Sequence, residues 1–296
     1  MLLNRKEGRK MTPIHKETHI GSVALQVKNL EKLVKFYTET IGLQILSKRE
    51  TSVKLTADGK TPILILEGNP ELQQRPVKSA GLYHLALLVP SRKDLANVLY
   101  HFIETNTQLL GASNHKFSEA IYLQDPENNG IEIYRDIDRE DWRRDERGKL
   151  PAVSEPLDVQ SLLAERDSKT WSRLPENTVM GHVHLNVLNI AEAENFYMNV
   201  LGFEEQTRMG NHALFISAGG YHHHIAVNIW NGMDGESNRE DVTGLLHYEI
   251  IVPSMLEVEK VLSALEREQV PYHIESENIL LKDPSGNGVV IKAEQR

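Results

Sequence analysis

The sequence predicts an α+β fold made of four βαβββ modules, because one pattern of strand, helix and hairpin recurs along its 296 residues. The segments that begin at Gly21 and Gly181 read GSVALQVKNLEKLVKFYTETIGLQIL and GHVHLNVLNIAEAENFYMNVLGFEEQ, 160 positions apart (181 − 21). Each is an alternating strand followed by a polar turn, a helix that ends in FY and a glycine before the next strand.

A second pair of segments begins at Gly81 and Gly244 and reads GLYHLALLVPSRKDL and GLLHYEIIVPSMLEV. Each leads to a hairpin, YLQDPENNGIEIY or LLKDPSGNGVVIK, whose DPxxNG piece is typical of a turn between two β runs. Two such modules can close an eight-stranded cup with a ligand pocket inside. Four modules therefore predict two eight-stranded, cup-like barrels.

One charged segment with prolines interrupts the repeat and divides the chain into halves. The predicted organisation is a tail over residues 1–17, a two-module domain over 18–138, a linker over 139–177 and a second two-module domain over 178–296. The modules can pair within each half of the chain, or modules two and three can instead pair with each other across the halves.

Composition excludes several classes of protein. The chain has no cysteine, which excludes disulfides, thiolate nucleophiles and iron–sulfur clusters and leaves His, Asp and Glu as metal ligands. A net charge of −9 without a basic stripe argues against nucleic acid as a partner. The lack of an apolar run of about 18 residues argues against a membrane span, and with no apolar signal core we expect a cytoplasmic protein.

Three histidines and one glutamate occupy apolar strands where a polar side chain needs an explanation. His84 lies in GLYHLALLV and is read either as a core histidine with a satisfied hydrogen bond or as a metal ligand. Glu132 lies in NGIEIY, where the corresponding residue of module four is Val290.

His182 and His184 share one face of GHVHLNV in module three. Module one has Ser22 and Ala24 at the places of His182 and His184, so the fold itself does not require histidines there.

The run GGYHHHIAVNIW places three adjacent imidazoles, His222–His224, before an apolar strand. It is read either as a solvated loop end or as acid–base or metal-binding machinery. Tyr122 precedes Glu132 by ten residues across the DPENNG turn and can face the same cavity, with His115 upstream. His247 matches His84 by module and is more simply structural.

The motifs GHVHLNV, GGYHHHIAVNIW, GLYHLALLV and SEAIYLQDPENNGIEIY in this order resemble the vicinal-oxygen-chelate superfamily, which contains glyoxalases, bleomycin-resistance proteins and dioxygenases. Within it the chain looks like the type I extradiol dioxygenases, specifically the catechol-2,3-dioxygenase group of bacilli. The resemblance covers nearly the whole chain from about Thr12.

The resemblance implies a metal site of His84, Glu132 and His182, with His247 and His184 as alternative ligands. This departs from the commonest arrangement of the family, in which modules three and four are active. Pairing modules two and three gives a complete ligand set, whereas modules three and four would have lost the carboxylate.

The resemblance implies four catalytic residues. His223 is the acid–base group, with His224 as its alternative, Tyr122 hydrogen-bonds the substrate or the metal-bound oxygen species, and His115 orients the substrate. Two histidines and a carboxylate on one face of a metal suit Fe(II), and Mn(II), Zn(II) and Ni(II) accept the same ligands. The expected partners are a small aromatic diol and O2, and a homo-oligomer is compatible with the fold.

Two other functions remain open at this point. One is a glyoxalase-type isomerase or lyase, in which the metal stabilises an enediolate. The other is a non-catalytic small-molecule binding protein similar to the bleomycin-resistance members, which needs a cup but no metal. The motifs GxSxG, GxxxxGK(S/T), HExxH and GxGxxG are absent from the sequence.

Overall fold

The computed structural model describes residues 12–167 and 171–294 and shows four modules of the predicted type. Residues 1–11 of the predicted tail and 168–170 of the predicted linker lie outside the described residues. Within the described ranges, no helix is long and apolar enough to span a bilayer.

The elements follow the chain module by module. Module one comprises β1 (His19–Val27), α1 (Leu30–Lys35) with a π-helical turn (Phe36–Thr40), β2 (Gln44–Lys48), β3 (Ser52–Thr56) and β4 (Leu64–Gly68). Module two comprises β5 (Gly81–Leu88), α2 (Arg92–Glu104), β6 (Gly111–Asn114), β7 (Ser118–Gln124) and β8 (Gly130–Asp136). The connecting segment contains a 3₁₀ turn (Arg139–Asp141), β9 (Glu155–Pro156) and α3 (Val159–Leu163).

Module three comprises β10 (Val179–Asn186), α4 (Ile190–Glu194) with a π-helical turn (Asn195–Val200), β11 (Glu204–Met209), β12 (Ala213–Ser217) and β13 (Ile225–Asn228). Module four comprises β14 (Gly244–Val252), α5 (Met255–Arg267), β15 (Tyr272–Glu275), β16 (Asn278–Lys282) and β17 (Gly288–Ala293). The predicted α+β class is confirmed.

The strands form two large sheets, and each sheet combines one module from each half of the sequence. The eight-stranded sheet has the order β15-β16-β17-β14-β1-β4-β3-β2 and contains modules four and one. The nine-stranded sheet has the order β11-β12-β13-β10-β5-β8-β7-β6-β9 and contains modules three and two. Its ninth strand, which the sequence did not predict, is the two-residue β9 that the connecting segment adds to β6. The predicted domain limits stay a prediction.

The two sheets are linked by buried hydrogen bonds from the helices to the hairpin turns. Tyr37 of module one donates its hydroxyl to Asp125 of module two at 2.9 Å. The same oxygen of Asp125, Oδ2, also accepts from the side-chain amide of Asn129, and Oδ1 accepts from the backbone N–H of Asn129, which closes the DPENNG turn. The corresponding group linking modules three and four consists of Tyr197, Asp283 and Asn287. The same Tyr–Asp–Asn group therefore occurs twice in the chain. This explains why FY and DPxxNG recur together, since each buried carboxylate requires its hydrogen-bond partners.

The last glycine of each DPxxNG turn is required by a close backbone approach. A Cβ atom at Gly130 would lie 2.1 Å from the carbonyl oxygen of Tyr83, and one at Gly288 would lie 2.2 Å from that of Leu246. The left-handed backbone belongs to earlier turn positions, Asn128 (φ 65°) and Gly286 (φ 86°). The final glycine therefore allows β8 and β17 to pack alongside β5 and β14.

Replacing Gly288 by alanine should lower the free energy of unfolding by about 1–3 kcal/mol, because the added methyl group overlaps backbone atoms. Thermal or urea unfolding measures the change. Gly111→Ala is the matched control, since a Cβ there meets nothing within 4 Å. Equal unfolding midpoints for the two variants would contradict the steric role of Gly288.

Candidate metal centre

The antiparallel pairing of β5 with β10 at the middle of the nine-stranded sheet brings the predicted ligands together. His184 lies opposite His84, and His182 lies opposite Ala86. Each strand has a bulge beside these pairs, at Gly181 in β10 and at Tyr83 in β5, where one residue has no partner. A bulge bends its strand and redirects the neighbouring side chains, so these histidines converge although they come from different modules.

Glu132 completes a compact cluster with two of these histidines. It lies on β8 beside Ala86, and its Oε2 is 3.0 Å from Nε2 of His84 and 3.3 Å from Nε2 of His182. All three side chains are buried, and their ligand atoms lie within 4.8 Å of one another. Two bonds of about 2.0–2.2 Å at right angles on one metal ion place their ligand atoms about 3 Å apart. The spacing fits three ligands on one face of an ion.

The nitrogen atoms of this cluster lack protein hydrogen-bond partners, which is the second observation that fits a metal. Nε2 of His84 and both ring nitrogens of His182 are buried without a hydrogen bond of acceptable geometry among the described residues. Buried polar atoms are normally satisfied, and the short distances to Glu132 do not meet the angular requirement. Nitrogen lone pairs and a carboxylate oxygen that converge without bonding to each other are the donor set of a metal site.

Burial keeps the imidazoles of His182, His184 and His223 neutral. It lowers the pKa of His182 to about 4, against the opposing effect of Glu132. Burial also lowers the pKa of His223 and His184 well below the ordinary value, and neighbouring imidazoles add to the effect. A neutral imidazole offers a lone pair, which both a metal ligand and a general base require.

The alternative ligands occupy different environments. His184 lines the same cavity, but its Nε2 already lies 2.9 Å from the side-chain nitrogen of Asn228, which donates to it. His247 belongs to the eight-stranded sheet, where it pairs with Ala24 and Gly288. The structure therefore brings His84, His182 and Glu132 together and leaves His247 in the other sheet.

Of the three consecutive histidines, His222 and His223 line the cavity. The ring centroid of His223 is 4.1 Å from that of His182. His222, His223 and His182 form a second group with ligand-atom spacing, but Nδ1 of His222 and Nδ1 of His223 already bond to each other at 2.7 Å. His224 is buried elsewhere and accepts the backbone N–H of Ala218 on Nδ1 at 3.1 Å.

Tyr122 and His115 form a hydrogen-bonded pair on the other wall. Tyr122 is the direct cross-strand partner of Glu132. Its hydroxyl lies 2.7 Å from Nε2 of His115, whose Nδ1 lies 2.8 Å from the carbonyl oxygen of Val153. The carbonyl only accepts, so Nδ1 carries the proton and Nε2 of a neutral His115 accepts from Tyr122. Burial and the nearby Glu132 raise the pKa of Tyr122 well above its ordinary value, which keeps the hydroxyl protonated.

One cavity of about 560 Å³ in the nine-stranded sheet is lined by His84, Glu132, Tyr122, His115, His184, His222 and His223. His182 contacts Glu132 and His223 but is not part of the lining. The remaining walls of the cavity are mainly apolar and aromatic and include Leu110, Ala112, Met209, Phe215 and Trp230. The segment 151–154 of the connecting region closes one side. Size and lining suit a small ring compound held by a few polar groups.

Sequence reasoning missed the connecting segment and Asn228. Val153 carries no chemical signal, because it acts through a backbone carbonyl that any residue has. The sequence predicts a linker around Val153, because this segment does not follow the repeat. Asn228 could have been found as a polar residue in the apolar run IAVNIW, where it now explains the orientation of His184.

Comparisons with known proteins agree with this fold. The model of the Glyoxalase/Bleomycin resistance protein/Dioxygenase superfamily matches residues 19–133 and 179–291. A catechol-2,3-dioxygenase of Bacillus subtilis (strain 168) is 40% identical over 276 residues, which are 93% of this chain and 96% of that protein.

Two solved structures share the fold at low sequence identity. A putative dioxygenase from Bacillus subtilis subsp. subtilis str. 168 has a TM-score of 0.66 at 11% identity, with 97% of this chain and 87% of that chain covered. Glyoxalase I from Zea mays has a TM-score of 0.56 at 13% identity, with 93% of this chain and 92% of that chain covered. The chain therefore belongs to the Glyoxalase/Bleomycin resistance protein/Dioxygenase superfamily, and within it to the catechol-2,3-dioxygenase group that its sequence motifs resemble.

Proposed function

We propose that this enzyme is an Fe(II)-dependent extradiol dioxygenase that uses O2 to open catechol-like rings beside their vicinal hydroxyls. The observation that carries the proposal is the convergence of His84, His182 and Glu132. Two of the three, His84 and Glu132, line a cavity that His223 and Tyr122 also line. The 40% identity to a catechol-2,3-dioxygenase supports the same reaction.

His84, His182 and Glu132 would hold the metal. An Fe(II) ion held by these three residues would bind the adjacent oxygens of a diol together with O2 and would pass charge between them. The buried Glu132 would contribute one negative charge to the metal, and an imidazole that binds a metal through its lone pair contributes none.

His223 is the acid–base residue in this proposal. It lines the cavity next to His182 and is neutral, so it can accept a proton from a catechol hydroxyl and return it later in the reaction. His224 is unsuited to this role because its Nδ1 is engaged by backbone and it does not line the cavity.

The Tyr122–His115 pair orients the substrate. Because Tyr122 donates its proton to His115, its oxygen presents lone pairs that can accept a hydrogen bond from a substrate hydroxyl. The apolar side chains Leu110, Ala112 and Phe215 then contact the ring carbons and exclude water. The arrangement suits a planar aromatic diol.

The converging triad favours a metal enzyme over a metal-free binding protein, and the single carboxylate with an additional neutral histidine favours oxygenation over isomerisation. The direct test is oxygen uptake with catechol after anaerobic loading with Fe(II), together with the yellow ring-opened product. Metal binding without uptake or colour would point to an isomerase or another diol. Neither metal binding nor uptake would point to a binding protein.

Replacing Glu132 by glutamine should lower retained iron at least about tenfold, because the isosteric amide removes the only anionic ligand. Metal analysis after gel filtration measures the content, and turnover should fall with it. Glu249→Gln is the control, since that half-buried carboxylate lies in the other sheet paired with Lys292. Full iron content in Glu132→Gln would exclude the proposed ligand set.

Replacing His223 by glutamine should lower kcat by about 10²–10⁴-fold with iron content maintained, because the proton acceptor is removed while the ligands remain. Steady-state oxygen uptake at saturating catechol measures the change. His224→Asn should instead act mainly on thermal stability, since it alters a backbone hydrogen bond. The reverse pattern, with His224 essential and His223 dispensable, would assign the acid–base role to the neighbouring residue.

A further inference from the structure

A carboxylate and an imidazole that the reaction scheme above does not use lie directly behind His223. Asp136 is the last residue of β8, four positions after Glu132, and its side chain is 29% exposed, whereas that of His222 is fully buried. Oδ1 of Asp136 is 3.0 Å from Nε2 of His222, and Nδ1 of His222 is 2.7 Å from Nδ1 of His223. The three residues form a continuous hydrogen-bonded chain from the protein surface to the cavity.

The direction of the hydrogen bonds follows from the chemistry of the end group. A carboxylate only accepts, so Nε2 of His222 carries a proton. When Nε2 carries the one ring proton of His222, its lone pair is on Nδ1, and the 2.7 Å contact then requires the proton of His223 to be on Nδ1. Nε2 of His223 is left unprotonated, and no described residue hydrogen-bonds to it. This is the tautomer that a base working through Nε2 needs.

The chain is also held in place by packing. The ring of His222 stacks on Phe117 with centroids 4.8 Å apart and an interplanar angle of 22°, and Tyr221 contacts it with centroids 4.0 Å apart. The hydroxyl of Tyr221 also lies 3.2 Å from Oδ1 of Asp136 and donates to it. Tyr134 in turn contacts the Tyr221 hydroxyl at 2.8 Å. Two donors on Oδ1 fix the carboxylate that fixes His222.

We propose that Asp136 and His222 are positioning residues that hold His223 in its Nδ1–H tautomer and so present Nε2 as the proton acceptor. This inference rests on the proposed acid–base role of His223. No proton has to reach Asp136: the proton is taken up and given back at Nε2 of His223. His222 accepts the Nδ1–H throughout, and the charge of Asp136 polarises His222. The logic is that of a carboxylate orienting a catalytic histidine, with one imidazole inserted between them.

The tautomers can be read directly by long-range ¹H–¹⁵N NMR of the full chain in its metal-free form, labelled with ¹⁵N-histidine. The wild-type protein should show the proton of His222 on Nε2 and that of His223 on Nδ1, with signals assigned from His222→Asn and His223→Asn. Asp136→Ala should change this pattern, whereas Asp138→Asn, at an exposed position two residues further on, should not. A wild-type His223 protonated on Nε2, as a doubly protonated His222 would impose, overturns the proposal.

Kinetics of the iron-loaded enzyme give the second measurement. Asp136→Ala should lower kcat by about 10–100-fold with KM and iron content unchanged, and Asp136→Asn, which keeps an acceptor oxygen, should recover part of the loss. An unchanged kcat in Asp136→Ala, or a loss that follows loss of iron, overturns the positioning role. If the wild-type protein proves not to cleave catechol, the proposed function fails, while the NMR result still decides the tautomer. If Asp136→Ala does not fold, the wild-type spectrum alone decides it.

Discussion

The antiparallel pairing of β5 with β10 is the contact on which the site depends. It joins strands from the two halves of the chain and sets His84 opposite His184 and His182 opposite Ala86. The bulges at Tyr83 and Gly181 redirect side chains that regular alternation would place differently. β8 lies beside β5 and adds Glu132 to the cluster. A shift of one residue in this register would turn the candidate metal ligands of the shifted strand to the opposite face of the sheet. The ligands would then no longer lie close together.

The same architecture without the chemistry is present in the other sheet. There β14 pairs with β1, with His247 opposite Ala24, and β17 carries Val290 at the place that corresponds to Glu132. Both sheets keep the buried Tyr–Asp bonds and the tight glycine approaches, since those stabilise the modules themselves. The comparison within one molecule separates residues that the fold needs from residues that only the site needs.

Burial gives the site its electrostatic character. A carboxylate and several imidazoles are removed from water, which is unfavourable unless each finds a partner. The surrounding residues satisfy some atoms, such as Nε2 of His184 through Asn228 and both ring nitrogens of His222 through Asp136 and His223. The nitrogens of His182 and Nε2 of His84 stay without partners among the described residues. A cation bound by these atoms would offset the cost of their desolvation.

The repeat, the α+β class, the hairpins and the candidate ligands could be read from the sequence, because side-chain alternation and turn chemistry are local properties. His84, His182 and Glu132 were recognisable as polar residues in apolar strands. For His182 and Glu132, the counterparts Ser22 and Val290 also show that the fold does not need a histidine or a carboxylate there. Contacts between distant strands decided which modules share a sheet: the paired residues are 100 positions apart in one sheet (184 − 84) and 223 apart in the other (247 − 24). Tertiary contacts also distinguished the three adjacent histidines. The carbonyl of Val153 and the carboxylate of Asp136 entered only with tertiary structure, since their roles depend on neighbours that are distant in the chain.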